Sequence, residues 1–375
     1  MKANAFKQLI AGLFAHPAQS GIICRQQSWQ NSVYELTTYS CAVSAKKHLC
    51  RSTYEETLMK KVFIDGQVGT TGLQIHQRLS ARADIGLLQI ADADRKNTEI
   101  KQQIIDSADV VILCLPDEAA RQTVSMVNNP ETRVLDASTA HRVADGWTYG
   151  LAELAPESRA SISRAARVSN PGCWATGFIL AVTPLIRSGL LRPDIPLLCH
   201  GVSGYTGGGK QMIEQYEARS ASHPSDLWSS RPYALTLAHK HLAEMQHYSG
   251  LTMQPLFMPS VGHFAQGMLV NIPLPASWFT KTIDLSRVQT LLAEAYQDEP
   301  CVAVHAVNDA AALDEGFLEP QANNGSNRCD IFVFGNDQQI LLTSRLDNLG
   351  KGAAGAAVQN LNLMLGMPEL SGLDI

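Results

Sequence analysis

Cys173 is the cysteine of this sequence whose position best suits nucleophilic chemistry. It follows an Asn-Pro-Gly turn and precedes an apolar run, 177–186, that predicts a helix with Cys173 in its first turn. Because the N-terminal end of a helix stabilises an anion, we expect the pKa of this thiol to be lowered toward the nucleophilic thiolate. A small buried cysteine beside a turn is the alternative interpretation, and the motifs that follow favour the nucleophile.

A His-Lys-His segment supplies the candidate acid–base group. His241 and Glu244 are three residues apart, so on a helix they share a face and the carboxylate could orient the imidazole. His239 lies two residues earlier, and the spacing alone permits either imidazole to transfer the proton. A His-x-His pair could also bind a metal, but no further cluster of metal ligands lies nearby in the sequence, so we predict no metal site. Exposed histidines without a function are the ordinary alternative.

A glycine-rich turn upstream has the spacing of a dinucleotide-binding loop. It follows a predicted strand, 62–64, and opens a helical stretch. Glycines at this spacing allow a tight turn, a close approach of the backbone to a pyrophosphate and close packing of helix on strand, and the pyrophosphate then rests at the helix N-terminus. We expect the cofactor to contact Gly66, Gly69, Thr70, Thr71 and Gly72.

The end of the second predicted strand should choose between the two nicotinamide cofactors. Asp92 lies 20 residues after Gly72, where an acidic side chain could accept a hydrogen bond from a ribose 2′-hydroxyl and favour NAD. Arg95 and Lys96 follow it, and their charges could hold the 2′-phosphate of NADP. The two signals conflict, and the paired positive charges favour NADP(H).

Polar residues after another predicted strand could bind the anionic part of a substrate. The segment 136–142 lies at the carboxyl edge of the predicted sheet, where ligands bind in open α/β folds. Arg142 could hold a phosphate or carboxylate through two parallel hydrogen bonds, and Ser138 is a second candidate contact. The alternative is a surface arginine on a loop.

The glycine-rich segment 204–210 formally matches the nucleotide-phosphate loop G-x-x-x-x-G-K. Gln211 follows where that motif needs serine or threonine for magnesium, and the segment lies far from the first strand–helix turn. We therefore reject an NTPase and predict a flexible loop that carries Ser203 and Lys210 and wraps a small anionic substrate.

The elements that position these residues change in character along the chain. From Lys61, short β-branched strands alternate with helical stretches, which predicts right-handed βαβ units and a parallel sheet. After Cys173, longer strands alternate with loops rich in Gly, Ser and Pro. We expect an α/β protein with a Rossmann-type dinucleotide-binding domain, 59–172, completed by a C-terminal helix within 346–375, and a mixed α+β catalytic and dimerisation domain, 173–345.

Composition is that of an ordinary globular enzyme. The 375 residues carry a net charge of -5, so there is no electrostatic reason to expect a nucleic acid or a membrane as a partner. The eight cysteines are scattered, which fits reduced thiols in the cytoplasm. Residues 1–58 lack clean periodicity, and we expect a non-core extension, either a transit leader or the result of a start assigned upstream of Met59.

Together these motifs resemble the N-acetyl-γ-glutamyl-phosphate reductases of arginine biosynthesis, relatives of aspartate-semialdehyde dehydrogenase. The resemblance covers about 61–368 and is closer to the shorter, second type, because the substrate segments differ from those of the longer members. Beyond the motifs above it rests on Cys114-Leu-Pro116, Gly201-Val-Ser-Gly204 and Asp347-Asn-Leu-Gly-Lys-Gly-Ala-Ala354. The resemblance implies that Pro116, Asn348 and Gly352 contact the cofactor, the last two near the nicotinamide.

The resemblance also implies the reaction. The Cys173 thiolate would attack an acyl phosphate, phosphate would leave, and hydride transfer from NADPH would reduce the thioester to N-acetylglutamate semialdehyde. His241 would protonate the developing alkoxide, while Arg142, Lys210 and neighbouring side chains hold the substrate. The implied partners are the small-molecule substrate, phosphate and further copies of the chain in a homo-oligomer.

Two other functions fit part of the pattern. An aspartate-semialdehyde dehydrogenase would use the same covalent chemistry on a shorter acyl phosphate, but the His-x-His pair and the short substrate loop argue against it. A non-catalytic dinucleotide sensor would keep the fold. It gives no reason for a thiol at a helix N-terminus opposite a His–Glu pair.

Overall fold

The computed structural model describes residues 59–94, 97–281, 284–336 and 338–375. The expected N-terminal extension, 1–58, and the predicted cofactor contacts Arg95 and Lys96 lie outside the described residues, as does the side chain of Asp92. Two sheets, one formed before Cys173 and one after it, organise the described part of the chain.

The first sheet is parallel. Its strands are β1 (Lys60–Asp65), β2 (Ile85–Leu88), β3 (Val110–Leu113), β4 (Arg133–Asp136), β5 (Thr148–Tyr149) and β6 (Arg167–Ser169). They lie in the order β2-β1-β3-β4-β6-β5, and every neighbouring pair is parallel. Strand β3 consists of four apolar residues that are all buried, as expected where helices cover both faces of a parallel sheet. The predicted Rossmann-type architecture is confirmed.

Helices connect these strands and point their N-termini at one edge of the sheet. They are α1 (Thr70–Ser80), α2 (Thr98–Ser107), α3 (Asp117–Ser125) and α4 (Ser158–Arg164). Helix α2 begins where the side chain of Asn97 accepts hydrogen bonds from the N–H groups of Glu99 and Ile100. Helices α1 and α3 begin after Gly69 and Pro116, which make no side-chain cap. Their first N–H groups are therefore available to a ligand at the carboxyl edge of the sheet.

The second sheet is mixed, as predicted. Its strands are β7 (Leu198–Gly204), β8 (Arg231–Pro232), β9 (Leu256–Gly262), β10 (Met268–Pro275), β11 (Val302–Val307), β12 (Cys329–Asn336) and β13 (Gln339–Leu346). Their order is β11-β12-β13-β10-β7-β9-β8. The central strands β10 and β13 pair antiparallel over eight residues, whereas β7 and β9 are parallel.

Five further helices complete the described chain: α5 (Cys173–Arg187), α6 (Gly209–Ser222), α7 (Leu242–Ser249), α8 (Leu285–Ala295) and α9 (Gly355–Leu365). Helix α5 is apolar on most of its surface and packs in the core of the second sheet, where Phe178 and Ile179 are fully buried. Helix α9 packs on the first sheet, with Val358 and Leu361 in the same cluster as Val62. The chain thus returns to its first sheet at the C-terminal end.

The predicted flexible loop at 204–210 is wrong. Gly204 ends β7, residues Tyr205–Gly208 form a short 3-10 turn, and α6 begins at Gly209. The glycines suggested a loop because glycine disfavours helix, but tertiary packing decides here. Tyr216 of α6 is buried and stacks on Tyr205, with ring centroids 4.9 Å apart.

No helix in the described ranges is both long enough and apolar enough to cross a membrane.

Candidate active site

A cavity of about 520 Å³ joins the carboxyl edge of the first sheet to the start of α5. Most of the predicted site residues line it: Gly69, Thr70, Thr71, Gly72, Pro116, Ser138, Arg142, Cys173, Ser203, Lys210, His239, His241, Asn348 and Gly352. Gly66 lines a neighbouring cavity of about 190 Å³, and Glu244 is buried behind the wall. Segments that are far apart in the sequence therefore meet at one place.

Cys173 is the first residue of α5, as predicted, and Gly172 holds the N-cap position. The predicted direction of the pKa shift is wrong. Burial raises the pKa of Cys173 to about 11, although the guanidinium of Arg142 and the N–H group of Trp174 lower it. Desolvation outweighs the helix terminus, so the thiol is protonated at neutral pH. A nucleophilic role for this thiol would therefore need a neighbouring base.

His241 is the candidate for such a base. It is buried at the N-cap position of α7, and burial together with the charge of Arg142 holds its pKa well below the usual range. The imidazole is therefore neutral at neutral pH. The same lowered pKa makes it a weak base, so a proton from the thiol can pass to it only together with the attack of the sulfur. Its Nδ1 atom is buried and has no hydrogen-bond partner among the residues that the structure describes.

Gly172 lets two functional side chains reach the turn before the nucleophile. A Cβ atom built at Gly172 would overlap Nη1 of Arg142 and would lie 2.6 Å from Nε2 of His241. Any residue with a side chain would displace both groups. The glycine of the Asn-Pro-Gly turn thus brings an arginine and an imidazole next to Cys173.

His239 lies on the same wall of the cavity. Its ring is nearly perpendicular to that of His241, with centroids 4.7 Å apart, and its Nδ1 accepts a hydrogen bond from the N–H group of His241 at 3.1 Å. Burial, with the charges of Lys240 and Arg142, lowers the pKa of His239 to about 4. A neutral ring that accepts through Nδ1 carries its proton on Nε2, which is the atom left to donate to a substrate.

Glu244 does not orient His241 as predicted. Oε1 of Glu244 lies 4.0 Å from Nε2 of His241, which is too long for a hydrogen bond. The carboxylate instead accepts hydrogen bonds from Nη1 of Arg142 at 2.5 Å, the hydroxyl of Tyr149 at 2.7 Å and the N–H group of Gly172 at 3.1 Å. Glu244 is therefore a positioning residue for the arginine and for the turn before the nucleophile.

Replacing Glu244 by glutamine is expected to destabilise the protein strongly. Arg142 would remain buried without a counter-charge, and removing one partner of a buried ion pair costs about 3–5 kcal/mol. Tyr149→Phe removes one hydrogen bond to the same carboxylate and should cost about 1 kcal/mol. Urea unfolding of both variants measures the difference, and equal costs would contradict the assignment of Glu244 as the charge partner of Arg142.

Arg142 lines the cavity, and hydrogen bonds to buried groups hold its guanidinium in place. Burial alone would lower its pKa, but the carboxylate of Glu244 outweighs burial and raises it. Its Nε donates to the carbonyl oxygen of Asn170 at 3.0 Å. Ser138 also lines the cavity, and its hydroxyl donates to Oδ2 of Asp136 at 2.7 Å, so towards a ligand it can only accept.

The loop between β1 and α1 fits a dinucleotide pyrophosphate. Gly66 has a φ of 91°, and a Cβ atom there would overlap the carbonyl oxygen of Cys114. A Cβ atom at Gly72 would overlap the carbonyl oxygen of Gly66, so the loop closes onto the helix start only with glycine. At Gly69 the nearest heavy atom would be 3.4 Å away, because this glycine faces the cavity. The cradle at the N-terminus of α1 is thus open to a phosphate.

Two predicted cofactor contacts come from the segment that precedes α9. Gly352 lies against Cys173, since a Cβ atom there would be 2.6 Å from Cβ of the cysteine. Two residues next to strands of the second sheet orient Asn348: its Oδ1 accepts from the N–H group of Gly267 at 2.9 Å, and its Nδ2 donates to the hydroxyl of Thr206 at 3.0 Å. Both residues line the cavity.

The two predicted contacts of the substrate segment differ in position. Ser203 is buried, and its hydroxyl donates to the carbonyl oxygen of Gly204 at 3.2 Å. The side chain of Lys210 lines the cavity and is 78% exposed, and its Nζ atom lies 3.8 Å from Oε1 of Glu214 in the next turn of α6. Lys210 is thus free to contact an anion that enters from solvent.

Sequence reasoning missed three polar residues that shape the site. The hydroxyl of Tyr149 donates a hydrogen bond to Glu244, and the carbonyl oxygen of Asn170 accepts one from Arg142. The hydroxyl of Tyr233 accepts a hydrogen bond from Nε1 of Trp174 at 3.0 Å. Asn170 stands in the Asn-Pro-Gly-Cys segment and could have been inferred from it. The tyrosines carry no local signal, because only the fold brings them here.

In the described part of the chain, no group of three or more His, Cys, Asp or Glu side chains is arranged to hold a metal ion.

Comparison with known proteins agrees with this geometry. Residues 61–162 match the family described as semialdehyde dehydrogenase, NAD binding domain, and residues 173–348 match semialdehyde dehydrogenase, dimerisation domain. N-acetyl-gamma-glutamyl-phosphate reductase 2 of Nostoc sp. is 48% identical over 323 residues, which cover 84% of this chain and 99% of the relative. The chain belongs to the N-acetyl-γ-glutamyl-phosphate reductase family. A reductase 2 of Pseudomonas putida is 45% identical over 313 residues, covering 83% of this chain and 98% of the relative.

Solved structures show that this reductase shares a wider fold. Aspartate semialdehyde dehydrogenase II from Vibrio cholerae superposes with a TM-score of 0.64 at 14% identity, over 82% of this chain and 98% of that one. The enzyme from Francisella tularensis gives 0.62 at 13% identity, over 82% and 100%. With its NAD-binding domain, the reductase uses a nicotinamide dinucleotide, and its dimerisation domain indicates that copies of the chain associate.

Proposed function

We propose that the protein catalyses the NADPH-dependent reduction of N-acetyl-5-glutamyl phosphate to N-acetyl-L-glutamate 5-semialdehyde, with release of phosphate, in arginine biosynthesis. Membership of the reductase family supports the reaction. One observation carries the mechanism: Arg142 and His241 meet at Gly172, directly before Cys173 at the N-terminus of α5.

The first step forms a thioester on Cys173. Because burial keeps the thiol protonated, the neutral imidazole of His241 accepts its proton as the sulfur attacks the acyl carbon. The bond from the acyl carbon to the phosphate oxygen breaks, and phosphate leaves with the bonding electrons. The positive charge of Arg142, next to the same turn, stabilises the anionic sulfur and the leaving phosphate.

The second step reduces the thioester. The chemistry supplied by the bound dinucleotide is the transfer of one hydride to the thioester carbon. His241, now protonated, donates to the oxygen on which negative charge develops. It takes the proton back as the hemithioacetal collapses and the sulfur leaves as a thiolate, which releases the aldehyde. His241 then returns this proton to the sulfur and restores the thiol of Cys173.

Substrate selection falls to residues around the cavity. Arg142 and Ser138 lie on the side of the first sheet, while Ser203, His239 and Lys210 lie on the side of the second. We assign Arg142 and Lys210 to the phosphate and the α-carboxylate, because these are the anionic groups of the substrate.

An assay in the oxidative direction tests the proposed function. We expect N-acetylglutamate semialdehyde to be oxidised with NADP⁺ only when inorganic phosphate is present, because phosphate must attack the thioester. Aspartate semialdehyde, which lacks the acetyl group and one methylene, is the matched control substrate. Equal or faster turnover of the control would refute the assigned substrate, and phosphate-independent turnover would refute acyl phosphate chemistry.

Arg95 and Lys96 are predicted to select NADP(H) through its 2′-phosphate. Replacing both with neutral residues should raise the KM for NADPH roughly tenfold, which corresponds to a loss of about 1.4 kcal/mol, and should leave the KM for NADH nearly unchanged. Steady-state kinetics with both cofactors measure this. An equal effect on the two cofactors would indicate that Asp92 determines the cofactor preference, and Asp92→Asn would then change the KM for NADH.

Assembly, domain limits and location complete the proposal. The match of 173–348 to a dimerisation domain supports a homo-oligomer, with phosphate and the acyl substrate as small-molecule partners. We place the dinucleotide-binding domain at 59–172, completed by 346–375, and the catalytic domain at 173–345. The scattered cysteines favour the cytoplasm, where thiols stay reduced, and the five within the described residues are free.

A further inference from the structure

Lys351 is a buried cation that the reaction described above does not use. Its side chain is 1% exposed, and its ammonium group donates to Oε1 and Oε2 of Glu153 at 2.7 and 2.8 Å and to Oε1 of Gln359 at 2.7 Å. Nε2 of Gln359 donates back to Oε1 of Glu153 at 2.8 Å. These bonds use all three hydrogens of the ammonium group, so its position is fixed.

The backbone that carries Lys351 lies against the nucleophile. Residues Gly350–Ala354 form a π-helical turn directly before α9, and π turns are rare and frequently occur at functional sites. Gly352, the next residue, approaches Cys173 so closely that a Cβ atom there would be 2.6 Å from Cβ of the cysteine. One side of the turn therefore carries the ion pair, and the other side backs the reacting thiol.

The same turn is connected to the active-site arginine. The carbonyl oxygen of Ala353 accepts a hydrogen bond from Nδ2 of Asn170 at 3.0 Å, and the carbonyl oxygen of Asn170 accepts one from Nε of Arg142 at 3.0 Å. Asn360 in α9 donates to Oδ1 of Asn170 at 2.9 Å. A shift of the turn would therefore move the arginine as well as the thiol.

We propose that Lys351, paired with Glu153, is a positioning residue for the covalent step. The buried pair fixes the turn Gly350–Ala354, and the turn holds Cys173 and Arg142 in the relative positions that the attack of the thiol requires. Lys351 touches neither substrate nor reacting atoms. The inference rests on the proposed function, because its effect is measured on that reaction.

A purely structural ion pair would behave differently from a positioning pair. Lys351→Met alone leaves the carboxylate of Glu153 buried and unpaired, so its melting temperature should fall. In Lys351→Met with Glu153→Gln, both charges are gone and the two glutamines at 153 and 359 can bond each other, so most of the melting temperature should return. Recovery of stability without recovery of activity identifies positioning.

We expect the kcat of the double variant to stay below that of the wild type by a factor on the order of 10², since a displacement of about 1 Å in an active site has this effect. The KM values should change little. The pH dependence of the rate at which iodoacetamide alkylates Cys173 should shift to lower pH, because a thiol that is less tightly enclosed is less desolvated. A double variant with wild-type kcat and a wild-type alkylation profile would contradict the proposal.

Two further variants keep the test decisive. Gln359→Leu keeps the ion pair and removes the hydrogen bond that Gln359 accepts from Lys351. If the double variant does not regain stability, this milder variant should still show a lower kcat and the shifted alkylation profile. Wild-type values for both would refute positioning. Arg82→Met is the matched control, because Arg82 is a buried cation that bonds Asn362 at the far end of α9.

The control should lose melting temperature and keep kcat, whereas an equal loss of kcat would show that stability alone explains the effect. The wild-type protein is assayed in parallel. A wild type that turns over neither semialdehyde would refute the proposed function itself and not the positioning role.

Discussion

A Cys173→Ser variant is expected to fold, bind NADPH and show almost no turnover, a loss on the order of 10⁶-fold, as is found when other covalent enzymes lose their nucleophile. Serine keeps the shape of the residue at the start of α5, so the turn against Gly352 should persist. Its hydroxyl is a far weaker acid than a thiol, and the imidazole of His241 cannot deprotonate it to a useful extent. Turnover is followed by the absorbance of NADPH, and cofactor binding by fluorescence titration.

Cys199→Ala is the matched control for this variant. Cys199 is buried in strand β7, and burial raises the pKa of its thiol above that of Cys173. It does not line the cavity. The control should therefore keep its kcat. An active Cys173→Ser protein, or a loss of turnover that appears only with Cys199→Ala, would overturn the covalent mechanism.

A His241→Asn variant is expected to lower kcat on the order of 10²–10⁴-fold, the span for loss of a general acid–base group. The reason is specific to this site: a thiol with a pKa of about 11 depends on a neighbouring base, and His241 is the buried neutral imidazole next to Gly172, the residue before Cys173. His239→Asn should do less, because His239 binds backbone through Nδ1 and offers only Nε2 to a substrate.

The pH profile of kcat distinguishes the roles further. Because the pKa of His241 lies well below its usual value of 6.5, the wild type should keep its base, and hence its kcat, as the pH falls through 6.5. Turnover should fall only at lower pH, where this imidazole is protonated. A His239 variant with the larger loss, or a wild-type profile that falls near pH 6.5, would contradict the role of His241 in proton transfer.

Local signals in the sequence were sufficient to predict the position of Cys173 at a helix start and the glycine-rich loop for the cofactor. The Pro-Gly turn followed by an apolar run placed Cys173 at a helix start, and the structure has α5 begin at that residue. Gly66 and Gly69 likewise lie in the turn between β1 and α1, and Gly72 lies in the first turn of α1. In both cases the determinant is the backbone conformation of a few consecutive residues, which a short segment specifies.

The electrostatics of the site could not be inferred in this way. Glu244 was assigned to His241 because they are three residues apart, yet it binds Arg142, which is 102 residues away. The helix terminus was expected to lower the pKa of Cys173, yet burial, which depends on the whole fold, raises it. Lys351 offered no local sign that it would be enclosed with Glu153, 198 residues earlier.

The most direct test of the covalent mechanism is intact mass spectrometry of the wild-type protein mixed with N-acetyl-5-glutamyl phosphate in the absence of NADPH. Without hydride transfer the thioester should accumulate, and the mass should increase by one N-acetylglutamyl group that peptide mapping assigns to Cys173. Cys173→Ser should show no increase. An adduct on another cysteine, or no adduct in a preparation that turns over when NADPH is added, would contradict the account.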